Sequence, residues 1–113
     1  MSQPAMDTAA FAEMKEMMGE SFHDLVNLSI DSLPQQLDAI ENAIKTRDAE
    51  TLFSSAHKLK SSCGTIGAFG LAERAETVEL VGRAGSTDVA EDDLQALRDA
   101  IDEVLCLLKA ELQ

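Results

Sequence analysis

Apolar residues recur at steps of three and four along almost all of this 113-residue chain, and this spacing most restricts what it can fold into. Such steps place successive side chains on one face of an α-helix, whereas a half-buried strand needs strict alternation. Only two prolines and six glycines interrupt the pattern. The chain is therefore predicted to be all-α. The pattern indicates five helices, at about residues 8–18, 20–46, 49–64, 67–84 and from 86–88 to the C-terminus.

Short connections between long amphipathic helices make neighbouring helices run antiparallel. The last four helices are therefore expected to form an up-down four-helix bundle, with the additional short N-terminal helix across one end. The length suits one core, so residues 1–113 are expected to form a single domain. Asp48 is predicted to cap the third helix, and Ser86, Thr87 or Asp88 the fifth.

Composition excludes several classes of protein. The chain has 21 acidic residues against 9 Lys and Arg, a net charge of -12, which argues against binding to nucleic acid or to an anionic membrane. Neither a membrane span nor a secretory signal is visible, so a cytoplasmic protein is expected. Cys63 and Cys106 lie in apolar helical patterns and are expected to be buried, reduced thiols. No metal or nucleotide motif occurs, so no cofactor or metal of its own is expected.

The third predicted helix carries a histidine away from its core face. At about 100° per residue, His57 lies roughly 120° from the middle of the apolar stripe, so its ring should reach water. Lys60 and Ser61 follow at positions that neighbour the imidazole, and Gly64 lies on the same face, where it leaves room for a large partner. The stripe itself consists of Leu52, Ala56, Leu59 and Cys63.

The same helix lies in a window without acidic residues. Between Thr51 and Ala72 there is no Asp or Glu, whereas His57, Lys58 and Lys60 all fall inside. No carboxylate is therefore expected beside the imidazole, and a partner whose own site is acidic would suit this surface. The alternative is that this histidine is an ordinary surface residue.

One segment resembles the signature of the histidine-containing phosphotransfer (HPt) domain, which reads Ala-His-x-Leu-Lys-Gly-Ser, a spacer, Gly-Ala, and then Leu and Leu-Glu. Residues 56–68 read AHKLKSSCGTIGA, and Leu71 and Val78-Glu79 follow. The resemblance extends over roughly residues 22–83. Ser61 stands where the family usually has glycine, and Val78 where leucine is commoner.

The resemblance implies a phosphoryl carrier in a multistep two-component phosphorelay. His57 would accept a phosphoryl group from an aspartyl phosphate and pass it to another aspartate, since a neutral imidazole is nucleophilic near pH 7. Lys60 would oppose protonation of the ring by charge repulsion and would pair with the bound phosphate. Ser61 or Ser62 would add a hydrogen bond. Gly67 stands in the Gly-Ala pair of the signature, and Arg83 resembles a basic residue that some family members bring near the site. Gly64 is a further supporting residue, because it leaves room for the partner.

The implied partners are a response-regulator receiver domain and a hybrid sensor kinase. Transfer between His and Asp needs a metal, so Mg²⁺ would come from the receiver. The protein would be a monomer without kinase activity. A starting Met favours a free-standing protein. Candidate docking residues, on the first two helices, are Met14, Met17, Met18, Phe22, Ser32 and Gln36. The four apolar ones could instead close the end of the core.

Two other functions stay open at this point. The tripeptide Asp31-Ser32-Leu33 occurs around the prosthetic-group serine of acyl carrier proteins, which are also small, acidic and helical. Pro34 directly after it spoils that match. The third possibility is a helical adaptor that binds partners without passing phosphate. His23 has no supporting pattern and is predicted to be a surface residue.

Overall fold

The computed structural model describes residues 3–113, which form a four-helix bundle with one extra helix. Helix α3 packs between α2 and α4, α5 closes the ring between α4 and α2, and α1 lies against α2 and α3. The all-α bundle with a short N-terminal helix is confirmed. Within residues 3–113 no helix is both long and apolar enough to cross a membrane. The helices are α1 (Thr8–Met18), α2 (Ser21–Lys45), α3 (Ala49–Ile66), α4 (Phe69–Arg83) and α5 (Glu91–Ala110).

One of the two predicted helix caps is correct. Asp48 caps α3, and its carboxylate accepts a hydrogen bond from the Thr51 N–H at 3.0 Å. The prediction for α5 is wrong, because this helix begins after Ala90 without a side-chain cap. The Ser86 hydroxyl accepts a hydrogen bond from the Asp88 N–H within the preceding loop instead. The positive end of the α5 dipole is compensated by acidic residues of its first turn. These residues are Glu91, Asp92 and Asp93.

Helix α3 runs two residues further than predicted, to Ile66, and ends at a left-handed glycine. Gly67 has φ 76° and its N–H donates to the Cys63 carbonyl. A Cβ at Gly67 would lie 3.3 Å from the Ala10 Cβ of α1. Gly67 therefore ends the helix and seats α1, so the structure gives it a role in the fold rather than in the site.

The core contains the predicted stripe of α3, and all four of its residues are fully buried. Burial raises the pKa of the Cys63 thiol to about 12, which keeps it protonated and unreactive. The prediction that both cysteines are buried is wrong for Cys106, which is exposed. Cys106 is two residues beyond the buried Val104 on α5, about 200° around the helix, and so faces away from the core.

Helices α3 and α4 approach each other closely because Gly82 has no side chain. A Cβ at Gly82 would lie 2.6 Å from the Phe53 backbone nitrogen and 3.0 Å from the Ala49 carbonyl oxygen. No other residue fits there without moving one of the two backbones. The close approach also brings Glu79, about one turn before Gly82 on α4, against the surface of α3.

The segment before α1 is also part of the packed structure, which the sequence pattern did not predict. Ala5 and Met6 are buried. The Leu71 N–H donates to the Ala5 carbonyl at 3.0 Å, and the Ala5 N–H donates to a Glu103 carboxylate oxygen at 3.1 Å. This segment therefore ties α4 to α5 at the end of the bundle that α1 covers.

Candidate functional site

The side chain of His57 lies on the solvent-facing side of α3, next to α4. It is 57% exposed, as the helical spacing predicted. The ring stacks on Phe53, one turn earlier, with centroids 5.9 Å apart and planes 20° from parallel. Phe53 thus covers part of the ring and restricts its rotation, while more than half of the side chain stays open to a partner.

A buried carboxylate from α4 holds the imidazole. His57 Nδ1 lies 2.6 Å from Glu79 Oε2, and only 8% of the Glu79 side chain is exposed. An ionised carboxylate can only accept hydrogen bonds, so Nδ1 must carry the hydrogen and donate it. In the neutral ring the lone pair is then on Nε2. Within residues 3–113 Nε2 has no hydrogen-bond partner, so the nucleophilic nitrogen is unengaged.

Lys60 binds the other oxygen of the same carboxylate. Its ammonium lies 3.0 Å from Glu79 Oε1 and 3.7 Å from Glu76 Oε1. Glu79 therefore joins the ring and the ammonium through its two oxygens. The hydrogen bond to Glu79 raises the pKa of Lys60 despite some desolvation, so the ammonium stays charged.

Glu79 remains ionised although it is buried. Burial by itself raises the pKa of this carboxyl, but the hydrogen bonds from His57 and Lys60, with their charges, outweigh it. The pKa of Glu79 is therefore lowered from its ordinary value. A buried carboxylate of this kind positions its partners, since it accepts from two fixed directions.

The expectation that no carboxylate lies beside the ring is wrong. The window from Thr51 to Ala72 lacks acids in sequence, but α4 packs against α3 and supplies Glu76 and Glu79. The predicted charge repulsion between Lys60 and the ring is also not supported, because the Lys60 charge is balanced by Glu79. The only indication of Glu79 in the sequence was its place in the Val78-Glu79 pair of the family signature. No role was predicted for it from the sequence.

The other predicted supporting residues are dispersed. Ser61 is exposed, and Gly64 is exposed with nothing within 4 Å of a Cβ placed there, which fits the predicted open approach. Arg83 is exposed beside Phe53 in the groove between α3 and α4, and within residues 3–113 it forms no ion pair with another side chain. The Ser62 hydroxyl donates to the Lys58 carbonyl at 3.1 Å and accepts from Gln36 at 3.3 Å.

The candidate docking residues also differ from one another in exposure and position. Met17 is 86% exposed, whereas Met14 and Met18 pack partly against the core. Phe22 is wrong as a docking residue, because it is 1% exposed and packs on Phe11 with centroids 5.3 Å apart. Ser32 and Gln36 line a polar notch between α2 and α3.

Within residues 3–113 no group of three or more His, Cys, Asp or Glu side chains is arranged to hold a metal ion. Glu79 and Glu76 both contact Lys60, whose single positive charge offsets that of one of the two carboxylates. The contacts of His57 with Glu79, and of Glu79 with Lys60, orient an imidazole.

A helical bundle that holds one imidazole at its surface, with Nδ1 anchored and Nε2 open, can present that imidazole as a nucleophile to a partner. The comparison of sequences agrees, since residues 24–105 match the family model described as the Hpt domain. The chain belongs to the Hpt domain family, and it is a phosphoryl carrier of a phosphorelay. The acyl-carrier alternative is not favoured, and Ser32 lies in the interior of α2 rather than at the start of a helix.

Two solved structures have the same fold. Histidine-containing phosphotransfer protein B (HptB) from Pseudomonas aeruginosa PAO1 matches with a TM-score of 0.87 and 24% identity, over 97% of this chain and 96% of that one. The HPT domain of the Hpt sensor hybrid histidine kinase from Shewanella matches with a TM-score of 0.77 and 18% identity, over 96% and 93%. At these identities the likeness concerns the fold alone. No curated protein matches this chain in sequence.

Proposed function

We propose that His57 is the residue that carries the phosphoryl group. The donor is the aspartyl phosphate of a receiver domain, and the acceptor is the aspartate of another. The observation that carries this proposal is the 2.6 Å contact of Nδ1 with Glu79, which leaves Nε2 as the nucleophile.

In the forward step the Nε2 lone pair attacks phosphorus, the N–P bond forms, and the bond from phosphorus to the aspartyl oxygen breaks. The aspartate leaves as a carboxylate, and the ring becomes a phosphoimidazolium whose Nδ1 keeps its hydrogen and donates it to the Glu79 carboxylate. The buried carboxylate stabilises the positive charge that the ring gains during attack. The reverse step returns the phosphoryl group to an aspartate and restores the neutral ring, as a carrier requires.

Mg²⁺ and the acidic pocket come from the receiver in this proposal. A divalent ion neutralises the phosphoryl oxygens during transfer, and the carboxylates near His57 are bound to Lys60. Lys60 shares the Glu79 carboxylate with the ring, and we propose that its ammonium also attracts the new phosphate. The chain then needs no kinase or nucleotide-binding activity of its own, and we propose that it works as a cytoplasmic monomer without nucleic acid or membrane.

The hybrid sensor kinase is proposed as the source of the phosphoryl group. One of the structures that shares the fold is itself a domain of a hybrid histidine kinase. Gly64, two turns after His57 on α3, is open, and Met17 on α1 is exposed, and both features suit a protein partner.

The proposal is tested by incubation with a phosphorylated receiver domain and Mg²⁺. The wild-type protein should gain a label that is lost in acid and stable in alkali, as a phosphoramidate is. His57→Gln should gain none, and His23→Gln is the matched control that should be labelled normally. Label on His57→Gln would place the acceptor elsewhere.

A further inference from the structure

The two grooves that flank α3 differ in charge. The groove toward α4 contains Glu76 and Glu79, and these hold Lys60. Lys58 is exposed on the opposite side, and within residues 3–113 no carboxylate lies within ion-pair distance of it. The groove toward α2 forms a polar notch of about 250 Å³ without an acidic residue. This α2–α3 notch is lined by Ser32, Gln35, Gln36, Ala39, Ser55 and Lys58.

A buried amide forms part of the wall of the α2–α3 notch. Gln36 is 9% exposed, its Nε2 donates to Ser62 Oγ at 3.3 Å, and its Oε1 is buried without a hydrogen-bond partner in the described chain. The Ser62 hydroxyl gives its single hydrogen to the Lys58 carbonyl, so it can only accept from Gln36, and the Nε2 end of the amide must face it. Gln36 therefore links α2 to α3 at the wall of the notch.

The polar groups that line the notch are one cation and neutral groups that can donate hydrogen bonds as well as accept them, and none of them carries a negative charge. They are the Lys58 ammonium, the hydroxyls of Ser32 and Ser55, and the side-chain amides of Gln35 and Gln36. We propose that the α2–α3 notch receives an Asp or Glu side chain of the docked receiver domain. This inference rests on the proposed function and names a specificity contact for it.

A carboxylate carried by the partner fits this surface better than a free anion does. The chain has a net charge of -12, which repels small anions in solution. A carboxylate on a receiver that is already docked at His57 is present at a high effective concentration. Repulsion by the whole molecule is then offset by the local cation.

The position of the notch next to His57 gives the proposed carboxylate contact a role in orienting the receiver. Lys58 follows His57 directly and lies about 100° further around α3, toward α2. Contact at His57 alone leaves the receiver free to rotate about the line that joins the two reacting residues. A second contact in the notch fixes that rotation, and transfer requires the attacking and leaving groups to be in line.

The test uses a receiver domain that phosphorylates the wild-type protein in vitro. Lys58→Glu should lower the second-order rate of transfer by about tenfold, since it replaces attraction by repulsion, and the loss should shrink at high salt. Lys109→Glu makes the same change in net charge on α5, diagonally across the bundle, and should stay within about twofold of wild type. Ser32→Asp should reproduce the loss without altering Lys58.

A charge exchange identifies the occupant. Each surface Asp or Glu around the receiver's active site is changed to Lys, and one of these changes should restore transfer to Lys58→Glu. Equal rates for Lys58→Glu and Lys109→Glu, or no restoring change, would overturn the notch contact while labelled His57 upholds the proposed function. Label on His57→Gln would instead overturn the proposed function.

Discussion

The two histidines of this chain show what separates a reactive imidazole from an ordinary one. Both are exposed, and both lie near a phenylalanine, with centroids 5.9 Å apart for His57 and Phe53 and 6.3 Å for His23 and Phe22. His57 is bound to Glu79 by Nδ1, whereas within residues 3–113 the His23 ring has no hydrogen-bond partner. Exposure is therefore common to both, and only His57 has a fixed orientation and a defined free nitrogen.

The largest effect on phosphoryl transfer is expected when His57 loses its hydrogen bond to Glu79. Glu79→Ala should slow phosphorylation of His57 by about 10- to 100-fold, because the ring loses its orienting group, and Glu79→Gln should fall between that variant and wild type. The measurement is the initial rate of labelling at saturating phosphorylated receiver. Glu76→Ala is the control, since it removes a carboxylate from Lys60 without touching the ring. A wild-type rate for Glu79→Ala would show that His57 needs no anchor.

Access to the anchored ring can be blocked while its hydrogen bond stays intact. Gly64→Gln places a side chain on the face of His57 in space that is empty, since nothing lies within 4 Å of a Cβ there. Binding of the receiver should weaken by about tenfold, and thermal stability should be unchanged or slightly higher because Gly is unfavourable in a helix. Titration calorimetry and a melting curve measure the two effects. Unchanged affinity would mean that the receiver does not pass over Gly64.

A smaller effect is expected at Lys60, which reaches the ring only through Glu79. Lys60→Ala should slow transfer by about two- to fivefold without abolishing it, since exposed charge pairs contribute little. Stopped-flow or quenched-flow labelling measures the rate. Lys45→Ala on α2 removes a cation of the same type away from the site and should behave as wild type. A complete loss of transfer in Lys60→Ala would give Lys60 a direct role on the phosphoryl group.

The smallest effect concerns stability in acid. The pKa of Glu79 is lowered in the folded protein, so the folded state binds this proton less readily than the unfolded state. The stabilisation is present above the ordinary value of 4.5 and is lost as the pH falls through the lower folded value. The difference in unfolding free energy between wild type and Glu79→Gln should therefore be larger at pH 7 than at pH 3. Urea unfolding at both pH values measures it, and a constant difference would contradict the shift.

The helices could be predicted from the sequence because their signals are local. Apolar steps of three and four located all five, and Asp48 identified the start of α3. The predicted start of α5 was wrong because three residues before the helix are of types that can cap it, and none of them does. The burial of Ala5 and Met6 could not be predicted, since it depends on contacts with α4 and α5 far along the chain.

The site could be predicted only in part, for the same reason. The exposure of His57 follows from its angle on α3, and the motif around it is continuous in sequence. The contact with Glu79 spans 22 residues and depends on how α4 lies against α3. Phe22 failed as a docking residue because periodicity shows that it is apolar, but only the position of α1 shows that Phe11 covers it.

The Gly82 contact makes the anchor sensitive to the distance between two helix axes. Glu79 reaches His57 across a gap that Gly82, one turn later on α4, keeps small. A substitution that increases the distance between these two helices would break the hydrogen bond that orients the imidazole. Phosphoryl transfer would then be lost even though His57, Glu79 and Lys60 were all present. Inactive members of such a family could therefore retain every residue of the motif and still be recognised by a bulky residue at this one crossing point.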